Sequence, residues 1–158
     1  MDGLSIREMA ESDLPFVKKG LADIFYTSTP EYMKVYLTQE IIEQKSFQQF
    51  MDNRNNEKTK LKVFVAHSNE ELVGFITLGE QIIPEIGITT GIVPDLFVDE
   101  KYRNRGVGSQ LLDYGIAFFK EKGQIFVSIN TLASNENAFH LYQKKGFRKE
   151  FVRLTKVL

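Results

Sequence analysis

The stretch VDEKYRNRGVGSQLLDYGIAFFKEKG, residues 98–123, is the most informative part of this sequence. An apolar run ends at Val98, a charged turn follows, and Gly106 and Gly108 then open a segment whose apolar residues recur at helical spacing. A strand, a glycine-containing turn and a helix in this order predict an anion site, because the free N–H groups and dipole of a helix N-terminus attract phosphate. We therefore expect a phosphate-binding loop here.

Two widespread phosphate motifs do not describe this loop well. The P-loop of nucleotide triphosphatases requires GxxxxGK[ST], and RGVGSQ has no lysine followed by Ser or Thr after its second glycine. The dinucleotide fingerprint GxGxxG is matched at Gly106 and Gly108, but Leu111 stands at the third glycine position. The first motif is excluded and the second match is weak.

Composition and charge narrow the class of protein. A chain of 158 residues with 42% hydrophobic content is long enough for one sizeable core, so we expect one domain over residues 1–158. A formal charge of −1 gives no overall field that favours nucleic acid or an anionic membrane. Without an apolar run of membrane-spanning length or a basic, apolar N-terminal leader, we expect a cytoplasmic protein.

Cysteine and histidine usage limits the chemistry. The chain has no cysteine, which excludes disulfides, thiolate metal sites and cysteine nucleophiles. Its two histidines form no HExxH pattern, so we expect no metal site.

The order of predicted elements indicates an α/β or α+β fold with helices on the faces of a sheet. Strands are predicted over 4–9, 61–68, 72–80, 92–98, 124–130 and 147–158, and helices over 13–26, 29–53 (in one or two pieces), 107–122 and 134–146. Pro94 removes a ladder donor and indicates an edge or a bulge within the fourth strand. The stretch from Gln81 to Gly91 is interpreted as a loop.

The segment from Arg103 to Gly108, RNRGVG, resembles the [QR]xxGx[GA] signature of the GCN5-related N-acetyltransferase (GNAT) superfamily, which binds the pyrophosphate of acetyl-CoA. Its surroundings agree over roughly the last two-thirds of the chain. DLFVDEKYRNRGVG, residues 95–108, resembles the strand-to-loop passage of that family, and NENAFHLYQKKGF, residues 135–147, resembles its second motif. The first sixty residues resemble the family only in the order strand, helix, helix.

The resemblance implies a fold and a reaction. The fold is a single domain with a mixed, mostly antiparallel central sheet of six to seven strands and helices on both faces. Two central strands, here the one ending at Val98 and the one beginning near Ile125, are splayed to admit CoA. The reaction is direct attack of a primary amine, from a small molecule or a peptide, on the acetyl thioester, with acetyl-CoA as cosubstrate and no metal. The resemblance leaves the assembly state open, with a homodimer as one candidate.

The resemblance also implies the residues of the site. The backbone N–H of Val98 is the expected donor to the developing oxyanion. The expected cofactor contacts are Leu96, Phe97, Val98, Arg103, Asn104, Arg105, Gly106, Val107, Gly108, Ser109, Asn130, Asn135, Ala138 and Tyr142.

Two side chains are expected to move protons. Tyr142 is the candidate acid for the leaving thiolate, although a tyrosine on an amphipathic helix is more often a core aromatic. Asp95 is the candidate base for the ammonium group of the acceptor, with Glu80, Glu85 or a water chain as alternatives. Asn135 serves equally well as a helix N-cap.

Other functions and acceptors stay open at this stage. A non-catalytic acyl-CoA-binding or sensing module keeps the same loop, and a plain α/β interaction domain explains the fold without it. Small amines, polyamines, aminoglycosides, amino acids and protein termini are all candidate acceptors.

Overall fold

The computed structural model describes residues 3–59, 61–83, 86–150 and 152–158. Within these ranges the strands are β1 (Leu4–Glu8), β2 (Lys62–Ser68), β3 (Glu71–Ile83), β4 (Ile88–Val93), β5 (Leu96–Val98) and β6 (Val127–Ile129). The helices are α1 (Leu14–Ser28), α2 (Glu31–Lys34), α3 (Gln39–Asn55), α4 (Val107–Glu121) and α5 (Glu136–Lys144).

The six strands form one open sheet in the order β1-β2-β3-β4-β6, with β5 paired to β3. All the pairs are antiparallel except β4 with β6, which is parallel. The long strand β3 pairs with β4 through its second half and with β5 through its first half. The mixed, mostly antiparallel sheet predicted from the sequence is confirmed.

A β-bulge separates β4 from β5. Gly79 of β3 faces Ile92, whereas Ile76 faces Leu96, so three steps along β3 correspond to four steps along its partner. One extra residue therefore lies at Pro94–Asp95, where proline is tolerated because no ladder N–H is needed. This is the bulge that Pro94 indicated in the sequence.

The gap between the parallel strands begins at the bulge. The ladder between β4 and β6 ends with Val93 opposite Ile129. Beyond that point the chain of β5 stays hydrogen-bonded to β3, while β6 ends. The two chains therefore part at this level of the sheet, as the splayed arrangement requires.

Helices cover both faces of the sheet. On one face, α4 buries Val107, Leu111 and Phe119 against residues of β2, β3 and β4. Its apolar residues recur three and four apart, as the sequence pattern predicted. On the other face, α1 and α3 bury Val17, Leu21 and Phe50 against a second set of strand residues.

Close packing between β3 and β5 depends on Gly74. A Cβ atom at this position would lie 2.5 Å from the carbonyl oxygen of Phe97. We expect Gly74→Ala to destabilise the fold by about 1–3 kcal/mol, because the strand backbone must move to relieve the overlap. Thermal unfolding measures this, with Gly108→Ala as the control, since a Cβ atom there makes ordinary contacts of 3.5 Å and 3.7 Å. Equal unfolding temperatures for the two variants would contradict the close approach.

Two local predictions were wrong. Residues 81–91 are not a loop throughout, because Gln81–Ile83 complete β3 and β4 begins at Ile88. This hairpin is held by cross-strand pairing, which a scan of neighbouring residues does not detect. The strand expected over 147–158 is absent from the described residues of that segment, in which Phe151 is not included.

No helix in the described ranges is both long enough and apolar enough to cross a membrane.

Candidate active site

The loop between β5 and α4 bends sharply before the helix begins. Asn104 and Gly106 both have positive φ angles, +61° and +82°. Glycine adopts such angles without strain, and asparagine is one of the few other residues that adopt them readily. Left-handed residues interleaved with ordinary ones turn successive backbone N–H groups toward one point, as in anion-binding turns.

The N–H groups at the start of α4 are free. The helix begins after Gly106 without a side-chain cap, and the N–H of Gln110 is the first to bond to the turn before it, at 3.0 Å from the Gly106 carbonyl oxygen. In the described part of the chain, no hydrogen bond uses the backbone N–H groups of residues 104–109. Free donors at the positive end of a helix are an anion site.

The residues of this loop differ in how far they are buried. Val107 is buried in the core, at 1% exposed, while Gly108 and Ser109 are half-buried at the start of the helix. The side chain of Asn104 is exposed. Val107 can therefore contact a ligand through its backbone but not through its side chain.

The two arginines of the loop differ. Arg103 donates from Nε to the Val98 carbonyl oxygen and from Nη2 to Asp23 on α1, each at 3.0 Å. Its guanidinium thus ties the loop to α1 and to the end of β5. Arg105 is exposed, 5.6 Å from the ring centre of Tyr102, and forms no ion pair with any described residue. Arg105 is therefore the more available cation.

The peptide groups of β5 face in two directions. The N–H of Asp99 donates to the Val73 carbonyl of β3 at 2.9 Å. Because antiparallel bonds occur at every second residue, the peptide groups of Phe97 also face β3. Those of Leu96 and Val98 then point away from β3, into the gap on the side of β6. Of the three expected contacts in this strand, Leu96 and Val98 present groups to the gap.

Phe97 has a different role. Its ring is 6% exposed and stacks on Phe75 at 5.4 Å between centroids. It also meets the edge of Phe16 of α1 at 5.9 Å. Neither its side chain nor its peptide groups face the gap, so it supports the strand from the core.

Asp95 is a buried carboxyl group at the bulge. It is 8% exposed, and Oδ2 accepts a hydrogen bond of 2.8 Å from the hydroxyl of Thr77. The Asp95 N–H donates to the same hydroxyl oxygen, also at 2.8 Å. Burial raises the pKa of Asp95 to about 6, against a smaller lowering by the Thr77 hydrogen bond. The carboxylate is therefore a base whose pKa is near the working range of a proton acceptor at neutral pH.

A pocket of about 220 Å³ opens beside Asp95. Pro94 and Asp95 of the bulge line it on one side, and Asn130, the residue after β6, also lines it. Residues of α1 and α3 complete the wall. A larger pocket of about 430 Å³ lies at the other end of α4, around Phe119 and Lys122, and contains none of the expected site residues except Glu80.

Helix α5 lies beside the start of α4. A Cβ atom at Gly108 would stand 3.5 Å from Val98 and 3.7 Å from Leu141, so β5, α4 and α5 meet at this glycine. Lys145, directly after α5, is ion-paired with Asp113 of α4 at 2.6 Å. Leu141 therefore borders this junction, and Tyr142 follows it on α5.

The expected residues of α5 have distinct surroundings. The Asn135 side chain caps the helix, accepting a hydrogen bond of 3.2 Å from the N–H of Ala138. Ala138 is half-buried. The ring of Tyr142 packs near Phe147 at 6.1 Å, and its hydroxyl bonds to no described residue. Burial raises the pKa of Tyr142 to about 12, so the phenol stays protonated at neutral pH.

The rival acids and histidines lie elsewhere. Glu80 stands in β3 opposite Gly91, and Glu85 lies outside the described residues. His67 is at a register shift between β2 and β3, and its buried Nε2 has no hydrogen-bond partner among the described residues. His140 is exposed on α5. The described residues include no group of three or more His, Asp or Glu side chains that could hold a metal ion.

Sequence reasoning missed Thr77 and Asp23. Thr77 holds the candidate base and Asp23 holds the loop arginine, at separations of 18 and 80 residues along the chain. Contacts over such distances leave no local pattern. Thr77 stands out only as a polar residue within the apolar strand β3, where it is fully buried.

The site thus combines a gap in a mixed α/β sheet, an uncapped helix start that follows β5 and a buried carboxyl group at the bulge. The profile of the acetyltransferase (GNAT) family matches residues 21–147, and the chain belongs to this family. The resemblance noted in the loop and in α5 is thereby confirmed.

Two known relatives carry N-acetyltransferase names. An uncharacterised N-acetyltransferase of Methanocaldococcus jannaschii is 29% identical over 56% of this chain and 40% of its own length. An aminoalkylphosphonate N-acetyltransferase of Salmonella typhimurium is 28% identical over 60% of this chain and 61% of its own. The chain thus matches less than two-thirds of either relative.

A solved structure agrees over nearly the whole chain. A candidate acetyl transferase of Pyrococcus furiosus superposes with a TM-score of 0.81 at 21% identity, covering 98% of this chain and 99% of that one. At this level of identity the likeness concerns the fold.

Proposed function

We propose that this protein moves the acetyl group of acetyl-CoA directly to a primary amine. One observation carries the proposal. The buried carboxyl group of Asp95, the peptide groups of β5 that face the gap and the free N–H groups of residues 104–109 follow one another along the chain on one side of the break in the sheet. The free N–H groups suit a pyrophosphate, the peptide groups of β5 suit a thioester, and the carboxyl group of Asp95 suits an amine.

The loop residues fit a bound pyrophosphate. The N–H groups from Asn104 to Ser109 are free to donate, and the space where a Cβ atom of Gly106 would stand is open, with no atom within 4 Å. Arg105 adds a cation that no carboxylate neutralises among the described residues. Arg103 holds the loop in place, because its guanidinium binds Asp23 of α1 and the Val98 carbonyl oxygen of β5.

The bound cosubstrate supplies an activated acetyl thioester. The N–H of Val98 donates to the carbonyl oxygen as negative charge develops there. Asp95, directly or through water, takes a proton from the acceptor ammonium, so that its nitrogen forms the new C–N bond. Tyr142 gives its proton to the sulfur as the C–S bond breaks, and the second proton lost by the amine nitrogen restores the phenol, directly or through water, as the amide forms. Asn130, Asn135 and Ala138 complete the proposed contacts around the gap.

A non-catalytic acyl-CoA sensor needs the loop but not a buried carboxyl group beside a pocket. Burying Asp95 costs free energy, because its pKa rises on folding. Groups that are kept at such a cost cluster at functional sites. The transferase therefore explains Asp95 and the sensor does not.

The single-domain organisation, the cytoplasmic location and the assembly state stay predictions.

Thermal unfolding with and without acetyl-CoA tests the cofactor site. At a ligand concentration of about a hundred times Kd, binding should stabilise the protein by about 2.7 kcal/mol, or roughly 5–10 °C. We expect Gly108→Asp to abolish this shift, because the added carboxylate repels the pyrophosphate. The unfolding temperature of the variant without ligand is measured beside that of the wild type, so that lost binding is separated from lost stability.

The matched control is Gln124→Asp, which adds the same charge just after the opposite end of α4. This variant should keep the full acetyl-CoA shift. Absence of a shift in the wild-type protein at millimolar acetyl-CoA would contradict the proposal. An equal loss in both variants would show a general effect of charge rather than a site at the loop.

A further inference from the structure

The pocket beside Asp95 has a mostly apolar wall. Its apolar lining comes from α1, α3, β4, the bulge and the residue before β2, namely Phe25, Phe50, Ile92, Pro94 and Leu61. Phe50 is 4% exposed and belongs to the core cluster under α1 and α3. The wall is therefore fixed by the packing of the fold and does not require a ligand to form.

The polar groups of the pocket are few. Gln49 and Asn53 come from α3, Asn130 follows β6, and Asp95 is the one ionisable side chain among the described lining residues. Gln49 donates from Nε2 to Oδ1 of Asn53 at 3.2 Å, so these two amides partly satisfy each other. The nearest arginine of α3, Arg54, is paired with Glu11. The described wall thus offers one anionic group and no cation.

Asp95 can receive a ligand through one oxygen. Oδ2 is engaged by Thr77, whereas Oδ1 accepts no hydrogen bond from any described residue. Asp95 lines the pocket, and Oδ1 is not one of the fully enclosed atoms, so it can accept a donor from the pocket, either water or a ligand. An ammonium group supplies both the donor and the opposite charge.

We propose that this pocket receives the acceptor, and that the acceptor is a small primary monoamine on an uncharged, largely apolar skeleton. The inference rests on the proposed transferase and narrows its substrate class. The amine lies against Asp95 and the carbon skeleton against the phenylalanine, leucine and isoleucine side chains. At about 220 Å³ the pocket is smaller than the roughly 300–1,000 Å³ typical of sites for drug-sized ligands.

The same lining disfavours two other classes of acceptor. An amino acid or an aminophosphonate brings an anionic group, for which the described wall has no cation. A polyamine brings a second ammonium group, for which the described wall has no second carboxylate. In either case a charge is desolvated without a partner, and this lowers binding.

Two matched pairs of amines test the inference through CoA release. 2-Phenylethylamine and phenylalanine differ by one carboxylate, and hexylamine and 1,6-diaminohexane differ by one ammonium group. We expect kcat/KM to be at least about tenfold higher for the first member of each pair, because the second buries an unpaired charge.

A second carboxylate should change this preference in a defined way. Asn53→Asp adds a negative charge to the wall and keeps the hydrogen bond from Gln49, since a carboxylate oxygen accepts it equally well. We expect this variant to raise kcat/KM for the diamine relative to hexylamine by about tenfold. Asn55→Asp makes the same change two residues away, outside this pocket, and should leave the ratio unchanged.

Each outcome has a clear meaning. Faster turnover of phenylalanine or of the diamine than of its matched monoamine overturns the inference and leaves the transferase intact. An equal shift of the diamine ratio by Asn55→Asp and Asn53→Asp also overturns it, because the effect would not come from the pocket. Absence of CoA release with every amine, despite acetyl-CoA binding, overturns the transferase and this inference together.

Discussion

At pH 8, the Asp95→Asn variant is expected to unfold about 5 °C above the wild-type protein and to transfer acetyl groups at least about a hundredfold more slowly. Both effects have one cause. Folding buries a carboxyl group that is ionised at this pH, and burial raises its pKa from 3.8 to about 6. The neutral amide has the same shape, removes this cost and loses the base.

The pH dependence follows from the direction of the shift. Because the pKa of Asp95 is higher in the folded state, this group lowers stability progressively as pH rises from about 4 to about 6. The full difference is present above that range and amounts to at most about 3 kcal/mol. The gap between the unfolding temperatures of variant and wild type should therefore close as pH falls toward 4.

Activity should show the opposite dependence on the same group. The base works only when ionised, so wild-type kcat/KM should fall as pH drops through about 6, and Asp95→Asn should lack this transition. Asp52→Asn, an exposed change on α3, is the control and should alter neither property. An unchanged rate in Asp95→Asn would assign the proton to Glu80, Glu85 or water.

The Tyr142→Phe variant should lose about a hundredfold in kcat and keep its affinity for acetyl-CoA within about threefold. The phenol donates to the leaving sulfur and is not required to hold the cosubstrate. Since burial raises its pKa to about 12, the group is protonated throughout the neutral range, and the loss should not depend on pH between 6 and 9.

Stability provides a separate check on Tyr142. Its hydroxyl bonds to no described residue, so its removal should leave the unfolding temperature unchanged. Tyr114→Phe is the matched control, because the Tyr114 ring packs on Phe64 at 4.9 Å between centroids, in the cluster between α4 and the sheet. Single-turnover kinetics should show a slow chemical step in Tyr142→Phe alone. An equal rate in both variants would leave Tyr142 as a packing residue.

Local patterns in the sequence were sufficient for α4 and its loop. The residues Val107, Leu111 and Phe119 recur at helical spacing, and all three are buried as expected. The left-handed conformation of Gly106 and the capping role of Asn135 also follow from residue type. Each of these features is determined within a few neighbouring residues.

Features that depend on distant partners were not predictable. The hairpin from β3 to β4 is defined by pairing such as Ile83 with Ile88 and by the parallel contact of β4 with β6. The environment of Asp95 depends on Thr77, and that of Arg103 depends on Asp23. Sequence spacing identified the chemical groups, whereas their hydrogen-bond partners required the folded chain.

The extra residue at Pro94–Asp95 also sets which side of the strand each later residue faces. In a regular strand, residues four apart share a face, yet Val93 packs under α4 while Phe97 packs under α1 and α3. After the bulge, each residue therefore faces the side of the sheet opposite to the one that a regular strand would give it. Deleting one residue here would move the Phe97 ring to the α4 face of the sheet and turn the peptide groups of Val98 toward β3, so the number of residues at the bulge decides both the core and the gap.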